Sequence, residues 1–373
     1  MKPLSVIFIP VSSPSGIGEY MRSMIIANAL KTRFPTLSIH FVLNVNVSYL
    51  KSCPYTVHTC EGSATKNVAV VNKIIEKVSP DLVIFDASGR AKQFKTAKRV
   101  GAKVAFISQH NKKRNRGLKL NRINQTDVHW VVQPEYCMKE LSYWQRTKLA
   151  FYKKEQPRNI GPVFESSSSQ YQESLLKKYD LLKEEYFIFN AGSGGHLIDG
   201  ELAADIFYSA ALEFNQTSQK KCIVIFGSNY PKPLPEKSKL TCLKDIANKE
   251  FVALLGNAQG CVVSAGDTLL QCIALHKPCV SAPVSPDQPA RLKQCQAEQL
   301  LLVAKASVKS ITAQTLKLIP EQKHSQSVDL IITNMKKQAP SKALDIILSD
   351  IESLLSVNIE KPQFRDKGLG VKS

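Results

Sequence analysis

Three glycine-bearing loops, each set between an apolar run and a helical pattern, hold the residues best suited to chemistry. In SSPSGIGEYMR, Gly16 and Gly18 precede a helix with Glu19 in its first turn and Arg22 one turn on. Glycine lets backbone N–H groups approach a phosphate, and a helix N-terminus favours negative charge there. Glu19 itself has two readings. It is either a carboxylate placed for the helix dipole, worth ~0.3–1 kcal/mol, or a general base poised against an acceptor hydroxyl. The second loop, Gly192-Ser193-Gly194-Gly195-His196, follows the run FIFNA. It reads as a tight turn or, if it faces a cleft, as a cradle for a diphosphate, with His196 either on the ligand or merely exposed. The third lies in SAGDTLLQCIALHKPCVSAPVSPDQPAR, residues 264–291, where two neighbouring strand ends aim Gly266, Asp267, Thr268, Gln271, Asp287 and Gln288 at one spot. Asp86 and Asp127, at strand edges, read first as structural carboxylates.

Short β-branched runs position these loops. Leu4–Val11, Leu37–Leu43, Asp81–Asp86, Lys103–Ser108 and His129–Gln133 alternate with helical patterns such as Glu19–Leu30 and Asn67–Lys77. After the polar stretch FESSSSQYQES a second series follows at 185–191, 221–227, 260–265 and 278–284. Near-continuous apolar strands suit parallel sheets covered on both faces. In such sheets ligands bind beyond the strand C-termini, where all three loops fall. The expected fold is therefore α/β with two doubly wound, Rossmann-like domains facing a cleft. The domains are expected at 1–163 and 164–338, followed by a helix and tail (339–373). In the closing stretch Leu344, Ile347, Ile351, Leu354 and Leu355 form one helical stripe.

Composition narrows the setting. The 373 residues are 43% hydrophobic and 22% charged, ordinary for a globular chain. Nine cysteines show no C-x-x-C pair and no metal-ligand spacing, so neither a disulfide framework nor a structural zinc site is expected, and a reducing cytoplasm fits. The N-terminal apolar run ends at a proline and is too brief for a signal peptide. The net charge of +19 is unevenly divided: residues 1–163 carry 26 lysines and arginines against 9 carboxylates, residues 164–373 carry 24 against 22. No carboxylate interrupts Ala87 to Thr126, which holds twelve cations. Such a run points to an anionic partner. Without stacking aromatics or a nucleic-acid-binding signature, a membrane or lipid-linked acceptor met through residues 90–122 is preferred to nucleic acid.

The third loop carries a resemblance. The pattern A-G-x-T-L-x-[E/Q]-x-x-A-L-x-K-P-x-V-x-x-P-x-x-x-D-Q-P resembles the nucleotide-sugar half of MurG-type GT-B glycosyltransferases. FVALLGNAQGCVV, residues 251–263, looks like the helix and strand before that loop, and the glycine loop and Gly161 to Val163 fall in the family's order. In the N-terminal half, SGIGEYMR is similar to the G-x-G-H-x-x-R motif of PseG-type nucleotide-sugar hydrolases, and Ser108 to Asn111 is similar to the MurG-type H-E-Q-N.

The resemblance implies an inverting, metal-independent transferase whose N-terminal domain binds an acceptor and whose C-terminal domain binds a nucleotide-sugar. A UDP-like diphosphate would rest on Gly192 to Gly195 and on the helix starting at Asp267, and no D-x-D occurs in the chain. Gly16, Gly18 and Arg22 would lie on the acceptor side, with Glu19 the first choice of base and His110 the second. The acceptor would be a glycolipid or surface polysaccharide, met by a cytoplasmic protein peripheral on the inner membrane face. Two positions depart from the family: Gln271 replaces the glutamate that contacts the ribose, and Glu19 replaces the motif's histidine. A PseG-like hydrolase, or a non-catalytic lipid- or nucleic-acid-binding protein on the same scaffold, are the alternatives.

Overall fold

The computed structural model describes residues 3–11, 17–236, 238–319, 325–338 and 342–355. The first lobe runs β1 (Ser5–Pro10), α1 (Gly18–Arg33), β2 (Ser38–Asn44), β3 (Thr56–Cys60), α2 (Val68–Val78), β4 (Leu82–Asp86), α3 (Ala91–Arg99) and β5 (Lys103–Ser108). It continues through the short helices α4 (Asn111–Gly117) and α5 (Leu120–Ile123), then β6 (Val128–Val131), α6 (Tyr143–Phe151) and β7 (Arg158–Asn159). All seven strands are parallel, in the order β3-β2-β1-β4-β5-β6-β7. The central strands SVIFIP and LVIFD are buried along their whole length, because helices cover both faces of the sheet.

Residues 161–168, without regular structure, carry the chain across to α7 (Ser169–Lys178). The second lobe then runs β8 (Tyr186–Asn190), a small hairpin of β9 (Leu197–Ile198) and β10 (Glu201–Leu202), α8 (Ala203–Ser218), β11 (Lys221–Ile225) and β12 (Thr241–Leu243). It goes on with α9 (Asn248–Asn257), β13 (Gly260–Ser264), α10 (Asp267–Ala274), β14 (Cys279–Ala282), α11 (Gln288–Ala297), β15 (Leu302–Val303), α12 (Val308–Leu316) and α13 (Ser325–Lys337). Its parallel sheet has the order β12-β11-β8-β13-β14-β15, so each lobe reverses strand order beside its first strand. At that reversal the loops following neighbouring strands diverge and leave a crevice.

The chain then returns. The last described helix, α14 (Ala343–Leu355), buries Ala343, Ile347, Leu348 and Ile351 in the core of the first lobe. Its Asp350 accepts from Trp130 Nε1 at 2.7 Å and pairs with Arg158 at 2.6 Å. The buried face includes Ile347 and Ile351 as the stripe predicts, but it extends through Ala343 and Leu348, with Leu344 and Leu355 only at its margin. The tail beyond 355 lies outside the described residues. A second tie between the lobes is the loop after β6, whose Tyr136 and Cys137 pack into the core of the second lobe, Cys137 Sγ lying 3.9 Å from Cys295 Sγ.

Candidate functional site

On the first lobe, the C-terminal ends of β1 and β4 are paired in register, Pro10 opposite Asp86. Gly16 lies outside the described residues; Gly18 opens α1, whose first turn presents Glu19. One turn on, Arg22 is almost wholly buried and holds Asp86 in a bidentate pair, Nε to Oδ2 at 2.9 Å and Nη2 to Oδ1 at 2.6 Å. Ser23 adds a hydroxyl at 3.3 Å. Burial pushes the Asp86 carboxyl up to about 6 even though Arg22 opposes the shift. The Arg22 guanidinium, despite its own burial, is held more firmly charged by Asp86 and Asp267. At the end of β5, His110 occupies the N-cap position of α4. Partial burial and the nearby Lys113, Arg116 and Arg291 cations hold its imidazole below the usual value, against Asp287.

On the second lobe, Asn190 ends β8 and pins the glycine turn, donating to Ile225 O at 2.8 Å and accepting from Gly192 N at 3.1 Å. Gly192 and Gly194 both have positive φ. A Cβ on Gly194 would stand 2.1 Å from Phe226 O, so that glycine is required by the turn's close approach to β11. At the end of β13, Gly266 is the N-cap of α10 and no side chain caps it, which leaves the helix's first N–H groups directed at the cleft. After β14, Gln288 accepts from Val284 N at 2.8 Å and Asp287 accepts from the Ser285 hydroxyl at 2.6 Å. Burial works against the charge of Asp287, yet Ser285, Arg291 and His196 hold it below the ordinary carboxylate range.

These ends meet at one cavity of about 480 Å³ between the lobes. Gly18, Glu19 and His110 line it from the first lobe. Gly192, Ser193, His196, Gly266, Asp267, Thr268, Asp287 and Gln288 line it from the second. Arg22 and Gln271 do not reach it; both line a smaller adjoining cavity of about 150 Å³. Gly194 and Gly195 are also absent from the wall, because the turn folds them back against Tyr230 and Asn229. Of the four residues expected to cradle a diphosphate, only Gly192 and Ser193 line the cavity. Asp127, the other structural candidate, pairs with Lys98 at 2.9 Å and accepts from Val104 N at 2.7 Å, away from the cavity.

The sequence motifs miss part of the wall. Arg291 lies beside α10, 3.2 Å from Asp267 Oδ1, and also donates to Ala265 O at 3.0 Å. The loop between β12 and α9 adds Lys244, Asp245 and Ile246, and the start of α9 adds Asn248 and Phe251. Asn248 Oδ1 is buried without a hydrogen-bond partner. Only the placement of a loop straight after a strand could have signalled that segment. Among the described residues, no group of three or more His, Cys, Asp or Glu side chains could hold a metal ion.

No protein-family model matches the sequence, and no curated protein matches it. Solved structures do. UGT2 of Phytolacca americana, complexed with UDP-2fluoro-glucose and pterostilbene, is 10% identical with a TM-score of 0.59, over 95% of this chain and 100% of that one. CalG4, the calicheamicin glycosyltransferase, is 12% identical with a TM-score of 0.59, over 96% and 100%. MnaA of S. aureus, in a co-structure with UDP, is 12% identical with a TM-score of 0.59, over 96% and 99%. Likeness at such identity establishes architecture. The chain has the GT-B fold, two Rossmann-like lobes facing a cleft, as the sequence leads one to expect.

Proposed function

We propose that the protein is a glycosyltransferase, of MurG type, that moves a sugar with inversion from a nucleotide-sugar donor to a glycolipid or surface-polysaccharide acceptor. The observation that carries this reading is the anion seat on the second lobe. The uncapped N-terminus of α10, the Gly192-Ser193 turn and the Arg291 guanidinium converge on one cavity. Together they meet a departing diphosphate with N–H groups and a fixed cation, which leaves no charge that a metal must neutralise. UDP or a UDP-sugar occupies the Phytolacca and S. aureus structures, which favours a uridine nucleotide here. Phe251 and Ile246 give the cavity an apolar flank for a base.

Across the cleft, Glu19 takes the proton of the acceptor hydroxyl as its oxygen attacks the anomeric carbon and the bond to the diphosphate breaks. His110 is the second choice for that role. The acceptor reaches the strongly basic first lobe from the cytoplasmic face of a membrane, where the protein is peripheral.

The test is a thermal-shift screen against UDP-, GDP-, CMP- and ADP-sugars, followed by incubation of the stabilising donor with lipid extracts. The nucleotide, a diphosphate from UDP-, GDP- or ADP-sugars and CMP from a CMP-sugar, is released only when acceptor is present. Release with water alone would select a hydrolase, and no shift with any donor would leave a binding protein on a transferase scaffold.

A further inference from the structure

The helix α6 is held to the first lobe by very little. Leu149 is its one buried residue, packed with Leu118 and Ile123. At about 3.6 residues per turn, Trp144, Thr147 and Phe151 fall on the side away from Leu149, with Tyr143 and Lys148 flanking them. Tyr143, Trp144 and Phe151 are 74%, 71% and 79% exposed, and no other Phe, Trp or Tyr among the described residues is exposed to that degree. Leu120, at the start of α5, is 53% exposed.

The surround is cationic. Lys139 to Lys154 holds five cations and one carboxylate, Glu140. The acid-free segment adds the exposed Lys112, Arg116 and Lys119 from α4 and the turn into α5. Much of the rest of that segment is already engaged by other residues of the protein. Lys98 and Arg99 pair with Asp127 and Glu76, while Arg114 and Arg122 are buried and donate to the carbonyls of Lys139 and Gly89.

We infer that the outward face of α6 docks the first lobe onto an anionic phospholipid bilayer, with Trp144 and Phe151 entering the headgroup boundary and the surrounding lysines and arginines meeting lipid phosphates. Exposed aromatics within a cationic ring fit that interface, where an apolar ring body meets hydrocarbon and fixed charge meets anionic lipid. No helix among the described residues is long and apolar enough to cross a membrane, so attachment through this face is superficial. The face is also tied to the cleft. Gln145 Nε2 donates to Asn115 Oδ1 at 3.0 Å and Lys139 N donates to Asn111 Oδ1 at 3.1 Å, both on α4, and α4 begins at the cavity residue His110.

This deepens the lipid-linked acceptor proposed above, and it is tested without donor or acceptor, so either reading can fail while the other stands. The chain has two tryptophans, and Trp130 is fully buried. Vesicles of phosphatidylcholine with 30 mol% phosphatidylglycerol, about one anionic lipid in three as at a cytoplasmic leaflet, shift Trp144 emission to the blue and sediment with the protein; phosphatidylcholine alone does neither. Trp144→Ser with Phe151→Ser lowers partitioning at least tenfold at an unchanged melting temperature and unchanged nucleotide response. Lys148→Glu with Lys153→Glu lowers it at low salt, an independent check on charge. Failure of the wild type to bind anionic vesicles, binding untouched by the aromatic pair, or loss of RNA binding in that pair with no vesicle binding in the wild type would each overturn the proposal.

Discussion

Arg22 Nη1 lies 3.5 Å from Asp267 Oδ2, an ion pair that joins α1 of the first lobe to the N-terminus of α10 in the second. It is the middle of a longer chain, Asp86 to Arg22 to Asp267 to Arg291, that alternates in charge across the floor of the cleft. Arg22 therefore braces the lobes from behind the cavity wall, and Arg291, beyond Asp267, is the cation that lines the cavity where the diphosphate is proposed to bind.

The buried end of this chain has a pH signature. The native Asp86 carboxyl is raised from 3.8 to about 6, so between those values the folded protein holds a proton that the unfolded chain has lost. Through this group alone, stability is greatest below about pH 4 and declines as pH rises toward 6. Asp86→Asn keeps the neutral form throughout. Urea titrations from pH 4 to pH 7 should show stability moving in favour of the variant by up to about 3 kcal/mol. A gap that moves toward the wild type instead would mean that Arg22 holds Asp86 ionised in the acid range.

Asp267 and Arg291 should act with opposite signs although they are 3.2 Å apart. Asp267 is 45% exposed and places a negative charge at the helix end proposed to receive a diphosphate. Arg291→Ala should weaken nucleoside diphosphate binding at least tenfold, the loss of a charge-assisted contact worth ~1.5–3 kcal/mol. Asp267→Asn should strengthen it several-fold by removing a like charge and freeing Arg291. Calorimetry with UDP reads both, and two changes in the same direction would remove the diphosphate from this seat.

Gly194 and Gly195 are neighbours in one glycine run, but only Gly194 has positive φ and a carbonyl 2.1 Å from where its Cβ would be. A Cβ on Gly195 would meet nothing closer than 3.5 Å. Gly194→Ala should cost about 3 kcal/mol or more, combining left-handed strain with a backbone clash, and Gly195→Ala less than about 1 kcal/mol. Chemical denaturation decides it; equal costs would mean that the turn relaxes.

Much of this fold was legible because its central strands are buried on both faces, and SVIFIP, LVIFD and GCVVS carry that in their apolar continuity. The edges were not. β3, β12 and β15 are only partly buried and β7 is exposed, so their sequences TVHTC, TCL, LV and RN obey no strong pattern. The site divides in the same way. Gly266, Asp267, Thr268, Asp287 and Gln288 follow strands that announce themselves, whereas Lys244 to Phe251 follow the unannounced β12 and contribute by position alone. Gly194 misled because a glycine required by packing and a glycine required by a ligand have the same letter.

Glu19 and His110 face the same cavity from the first lobe, and only one need serve as base. Glu19 sits in the first turn of α1, on the helix whose Arg22 is locked to Asp86, so its backbone is well fixed. Burial and three nearby cations lower the His110 pKa from its usual value, against Asp287, which favours the neutral imidazole that a base needs. If His110 were the base, the acid limb of kcat/KM would lie below pH 6.5 and would vanish in His110→Gln. With Glu19 as base, Glu19→Gln lowers transfer by ~10²–10⁴-fold while the nucleotide thermal shift is unchanged. His110→Gln then costs less than about tenfold and keeps the acid limb of the wild type, a result set by which group holds the proton rather than by the cavity they share.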